Sequence, residues 1–124
     1  MPRLGWLVVV LALLLGGWLT FDGCRALVIG DYVTPRSGAY AGQLGPWAKL
    51  VSAVGLDPRS TGVKATHVLL GIAWLVGATA FAIRAPWAWT GLMACAVLSL
   101  WYLPFGTLIA VVQIVLLFTP ALRR

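Results

Sequence analysis

The chain contains no glutamate and no asparagine, and its only acids are Asp22, Asp31 and Asp57. Histidine occurs once, at His67, and cysteine twice, at Cys24 and Cys95. Each scarcity excludes something. Without asparagine there is no N-glycosylation acceptor. A haem or zinc site needs several ligands, His67 has no second histidine to work with, and Met93 lies at the wrong depth to help, so neither metal nor cofactor is expected. Cys24 follows the first apolar run and Cys95 sits in the middle of the third. At about 1.5 Å per helical residue their depths differ by roughly 10 Å, too far for a disulfide, and both are expected as free thiols.

Charged residues make up 10% of the chain and apolar residues 61%. Soluble domains carry about 25% charged and ~45–50% apolar residues, so this composition does not suit a surface wetted all round. The net charge of +6 sits between apolar runs, not in a basic patch interleaved with aromatics. That pattern points to lipid headgroups and away from nucleic acid.

Four apolar runs are present, at 4–21, 65–83, 86–103 and 105–119, and none contains Asp, Glu, Lys or Arg. The first is too long for the apolar part of a secretory signal, and no small-residue cleavage site follows it. Phe21-Asp22-Gly23-Cys24 fits a lipoprotein cleavage box poorly, and an uncleaved helix is expected. The expected fold is therefore all-α: an integral membrane protein with four transmembrane helices and an extramembrane cap, residues 22–64, between the first two. Leu103-Pro104-Phe105-Gly106 breaks the third run from the fourth, because proline lacks a donor and glycine tolerates a tight turn. Trp6, Trp87 and Trp89 fall at one membrane face and Trp18, Trp101 and Tyr102 at the other, with Trp74 in mid-span, as aromatic belts require.

Within the cap, Pro46 and Gly55 bracket an amphipathic helix, with Trp47, Leu50, Val51 and Val54 on one stripe. Asp57-Pro58 reads as a helix cap followed by a first-turn proline, which would start the second long helix at Pro58. Arg3, Arg84, Arg123 and Arg124 crowd one face without acids. Arg25, Arg36, Lys49, Arg59 and Lys64 are spread along the cap. That density places both termini in the cytoplasm and makes the chain a multi-pass protein of the cell membrane.

The acid-free spans exclude a proton-coupled exporter, which needs an ionisable group inside the membrane. Thr79, Thr90, Ser99, Thr107 and Gln113 are the polar residues at depth. Gln113 could line a solute path, but a helix-to-helix hydrogen bond is the plainer reading. Depth counting places Gln113 level with Trp74 and Cys95, so its amide is expected to meet Trp74, Cys95 or a carbonyl near Gly91, with the second and fourth spans packed together. Gly91/Cys95/Ser99 and Ala73/Gly77 form small-residue rows for close packing. His67 reads as a polar residue at the interface, about 10 Å from Ser60 along the helix and unable to pair with it. Asp22 suits a pair with Arg25, and Asp31 or Asp57 suits one with Arg36 or Arg59.

The candidate ligand-binding residues are thus Gln113, Trp74, His67 and Asp31, with none assigned to catalysis. The expected role is a non-enzymatic membrane protein, self-associating or an accessory subunit of a larger membrane complex. The alternatives are a channel or facilitator for a small or apolar solute, and a membrane enzyme with its site on the cap side. A water-filled cavity reaching Gln113 would mark the first alternative. Convergence of Asp31, Asp57 and His67 within about 4 Å would mark the second.

Overall fold

A computed structural model describes residues 2–34, 37, 39 and 42–122; Pro35, Arg36, Arg123 and Arg124 lie outside the described residues. It is all-α. Five helices follow one another: α1 (Arg3–Ile29), α2 (Pro46–Ala53), α3 (Thr61–Ala82), α4 (Ala88–Leu98) and α5 (Phe105–Leu117). The helices α1, at 27 residues, and α3, at 22, are each long and apolar enough to cross a membrane.

The four larger helices form a ring in which α1 meets α3 and α5, and α4 closes the circuit between them. Neighbours run antiparallel. Along α1 and α3 the contacts pair Gly16 with Gly71 and Trp74, then Gly23 with His67 and Val68. These glycines are required by the approach: a Cβ at Gly71 would stand 2.8 Å from the Gly16 oxygen, and one at Gly23 would stand 2.9 Å from the Val68 nitrogen. Arg3 and Arg84 consequently lie toward the same end of the bundle.

Polar side chains tie the ring together. Trp74 Nε1 donates to Ser99 Oγ at 2.9 Å, joining α3 to the end of α4. Trp89 Nε1 donates to the Leu117 oxygen at 2.7 Å, joining α4 to α5. Trp18 Nε1 donates to Tyr102 Oη at 2.7 Å, which sets the two aromatics at one level. The small-residue rows are used inside the chain: Gly77 faces Leu92, and Cys95 and Ser99 are buried. Ala73 is exposed. Both Cys24, exposed, and Cys95, buried, are free.

Three expectations give way to the structure. Gln113 does not meet Trp74, Cys95 or a carbonyl near Gly91. Its Nε2 donates to the Val8 oxygen of α1 at 2.8 Å, because α5 packs on α1 and α4 and stands across the ring from α3. The second long helix begins at Thr61, not Pro58. Asp57 Oδ1 accepts from Arg59 N at 2.9 Å and closes a turn, which leaves the Ser60 hydroxyl to cap α3 by accepting from Val63 N. The apolar run 86–103 is also not one helix. Its helical part, α4, has 11 residues, and α5 has 13. At ~1.5 Å per residue they measure about 16 and 20 Å, short of the ~30 Å hydrocarbon core.

Helix ends follow local chemistry. At the end of α2 Gly55 takes φ +87°, Gly55 N donates to the Ser52 oxygen and Leu56 N to the Val51 oxygen, a Schellman closure. The end of α3 repeats it with Arg84 at φ 61° in the glycine position. The α4–α5 turn holds a cis Leu103–Pro104 bond, and Thr107 Oγ1 donates to the Leu100 oxygen across it at 2.6 Å.

Candidate functional site

The short α4–α5 hairpin stops below the end of α1 and the start of α3, and residues 30–34 and 42–60 close over the step. Its first part is a strap folded back on α1. Gly30, at φ +110°, ends α1. The Arg25 guanidinium then donates to the oxygens of Asp31 and Tyr32, both at 2.9 Å. The Asp22 carboxylate, almost fully buried, accepts from Val33 N at 2.7 Å. Asp22 therefore binds the strap main chain, and Arg25, expected as its partner, serves the neighbouring carbonyls.

The strap is fastened to the far side of the cap through Asp31. Arg59 Nε lies 3.0 Å from Asp31 Oδ1, both groups being well exposed, and Arg59 Nη2 donates to the Gly42 oxygen. Hydrogen bonding to Arg59 holds the Asp31 carboxyl below its usual range, and the same bond raises Arg59. Lys64 Nζ donates to the Gly30 oxygen at 2.9 Å, at the negative end of the α1 dipole.

Beneath these ties lies His67, expected as a polar residue at the interface and here fully enclosed by the protein. The rings of Tyr32, Trp47, Trp101 and Tyr102 surround it, with centroids 4.8, 4.6, 5.4 and 5.4 Å from the imidazole. The four rings come from three stretches: Tyr32 from the strap, Trp47 from α2, and Trp101 and Tyr102 from the α4–α5 turn. Trp47 also meets Tyr32, Trp101 and Tyr102, so the cap helix is seated on the hairpin tip by its one indole. Tyr32 Oη donates to the Pro58 oxygen at 2.8 Å, and burial raises its phenol above the usual range.

The imidazole is half satisfied. Nδ1 stands 2.9 Å from the Val63 oxygen. A carbonyl can only accept, so the proton belongs on Nδ1 and Nε2 is left with a bare lone pair. Nε2 is buried and makes no hydrogen bond to the described residues. Buried polar atoms are usually paired, and an unpaired one costs about 1–3 kcal/mol.

The four candidate residues therefore do not form one site. His67 lies in the aromatic cage and Asp31 on the outer rim of the cap. Trp74 and Gln113 sit on different helix contacts in the bundle, and Gln113 lines none of the five best-formed cavities. Asp31 and Asp57 both bind Arg59, while His67 turns its Nδ1 to its own helix, so no acid–base set assembles. Among the described residues no three His, Cys or Asp side chains gather as a metal site. Sequence reasoning missed Tyr32, Trp101 and Tyr102 as neighbours of His67. The only signal was that the cap side of the chain holds the histidine and much of the aromatic content.

Comparison of the chain with protein-family models, with characterised proteins and with solved structures finds no match.

Proposed function

We propose that this chain is a four-pass membrane protein that works by association, with copies of itself or as an accessory subunit of a larger membrane complex, and not by catalysis. One observation carries the reading: the outside of the bundle is as apolar as its core, and its few buried polar groups are turned inward. The buried polar groups of Trp74, Ser99 and Gln113 are spent on helix contacts, while Leu69, Val97, Leu98, Leu108 and Val115 are each more than half exposed. Water would not tolerate so continuous an apolar belt, whereas lipid or a neighbouring subunit covers it without penalty. In this reading α1 and α3 cross the bilayer fully, and the short α4–α5 hairpin completes its passage through the cap resting on its tip. The Arg3 and Arg84 end faces the cytoplasm and the cap faces away from it.

Two measurements test the reading. Single cysteines at positions 3, 84 and 43, in a background with Cys24 and Cys95 replaced, are treated with an impermeant thiol reagent. Positions 3 and 84 are expected to label together and 43 from the other face; opposite labelling of 3 and 84 would end the four-pass reading. Native mass spectrometry from mild detergent should find several copies or a co-purifying partner. A bare monomer throughout would end the association reading.

A further inference from the structure

The outer face of the bundle carries one long apolar groove. A hollow of about 770 Å³ lies between α3 and the end of α4, and a second of about 400 Å³ lies beneath α2. Leu50, Thr66 and Trp101 wall both, so the two join end to end. The size matches sites for small apolar ligands, ~300–1,000 Å³. The lining is apolar except for Thr66, whose hydroxyl already donates to the Gly62 oxygen, and the indole of Trp101.

Such a groove alone says nothing of its occupant, but what lies behind Trp101 does. The Trp101 ring, which walls the groove, packs against His67 at 5.4 Å, so the imidazole stands one side chain away from the groove. Its Nε2 is buried and makes no hydrogen bond to the described residues. The Trp101 side chain is held by packing alone. The indoles of Trp18, Trp74 and Trp89 each donate to another element, whereas Trp101 donates to none of the described residues and stands in a turn, not a helix.

We propose that this groove binds a neutral apolar molecule with a hydroxyl donor, a long-chain or isoprenoid alcohol. Its tail lies along the groove and its O–H donates to His67 Nε2 once Trp101 turns aside. A bare imidazole nitrogen accepts and does not donate, so it selects a donor head and gives nothing to an ester or ether. An anionic or zwitterionic headgroup would have to lose its hydration among aromatic rings, which disfavours a phospholipid in the same place. The proposal rests on the membrane reading only in that the groove opens to lipid.

The probes are the 9,10-dibromo derivatives of oleyl alcohol and methyl oleate, which have similar tails and quench tryptophan on contact. They are titrated into the full chain in mild detergent. The alcohol is expected to reach half-quenching at about one-tenth the mole fraction of the ester, the worth of one hydrogen bond to a buried acceptor. In His67→Phe the two midpoints should fall within about twofold of each other, since the ring is kept and the acceptor lost. Equal midpoints in the unaltered chain would overturn the site without any variant having to fold. A preference for the alcohol that survives in His67→Phe would overturn the role of His67. Alkaline carbonate extraction of the membranes from which the chain is purified is read separately: release of the chain would overturn the membrane reading alone.

Discussion

Gln113 of α5 donates to the main-chain oxygen of Val8 in α1, 2.8 Å away and 105 positions earlier in the chain. A helical carbonyl keeps a second lone pair after its own helix bond, so Val8 can accept without breaking α1. Gly106 and Ala110 share the buried face of α5 with Gln113, and Gly106 leaves room there for the Tyr102 ring. The other end of the amide, Oε1, is buried and has no hydrogen bond to the described residues.

Loss of the amide should therefore be mild. Replacing Gln113 by leucine removes one interhelical bond, worth about 0.6–2 kcal/mol in a bilayer, and at the same time removes an unpaired acceptor. The expected net change is a loss of about 1 kcal/mol or less, read from unfolding in mixed micelles. If Gln113→Leu instead holds its stability and loses association or ligand retention, Gln113 belongs to a functional site and not to the scaffold.

The α1–α3 contact should be far less forgiving. A Cβ at Gly71 would meet the Thr20 nitrogen at 2.5 Å and the Gly16 oxygen at 2.8 Å, both main-chain atoms that cannot step aside. Gly71→Ala is expected to destabilise by about 2–4 kcal/mol, the upper range for overpacking. Gly17, one residue from Gly16, has nothing within 4 Å of its missing Cβ. Gly17→Ala should be neutral or gain up to ~1 kcal/mol from helix propensity. Thermal unfolding of the two variants side by side checks the contact, and equal effects would mean the helices do not meet at Gly71.

Arg84 holds φ 61° at the end of α3, a left-handed conformation that costs an ordinary residue about 1–2 kcal/mol. The Schellman bonds from Arg84 N and Ala85 N are main-chain bonds and survive any side chain. Arg84→Gly should thus raise the unfolding midpoint by up to the equivalent of ~1 kcal/mol, partly offset by the freer unfolded chain. A lowered midpoint would show that the guanidinium itself holds this end.

These variants also mark where sequence reading reached its limit. The bracketing of α2 by Pro46 and Gly55 follows from local rules: the ring of proline and the left-handed freedom of glycine. Apolar run length locates α1 and α3 but not the end of α1, which continues past the run 4–21 through Asp22 and Arg25 to Ile29 because those side chains bind the strap folded back on it. Of the α2 stripe, Trp47 and Val51 are buried on the hairpin tip, while Leu50 and Val54, 42% and 68% exposed, line the outer groove. Depth counting put Gln113 level with Trp74, yet depth gives no position around a ring of helices, and Val8 was the neighbour it could not supply. His67 was beyond reach for the same reason. Its four aromatic neighbours come from stretches as far apart as Tyr32 and Tyr102, and only the closed cap brings them together.

The cap should open in acid, and the sign follows from Asp31. Its pKa is lowered in the folded chain, first by the hydrogen bond from Arg59. A carboxyl with a depressed folded pKa adds stability above its unfolded value, near 3.8, and loses it as the pH falls through the folded value. The Asp31–Arg59 tie should therefore be constant from neutral pH down to about 4 and fail only below that. Both groups are well exposed, so the energy is small and salt-screened, and the effect is local to the cap. Trp47, at 5% exposure under the cap, is the reporter. Iodide quenching, taken as the difference between the unaltered chain and Trp47→Phe, should be slight at pH 7 and at pH 5 and should rise below about pH 4. Asp31→Asn should show the raised quenching already at pH 7 and little further change in acid. If that variant is as well protected as the unaltered chain at every pH, the salt bridge does not hold the cap. Closure would then rest on Trp47 and its ring contacts alone.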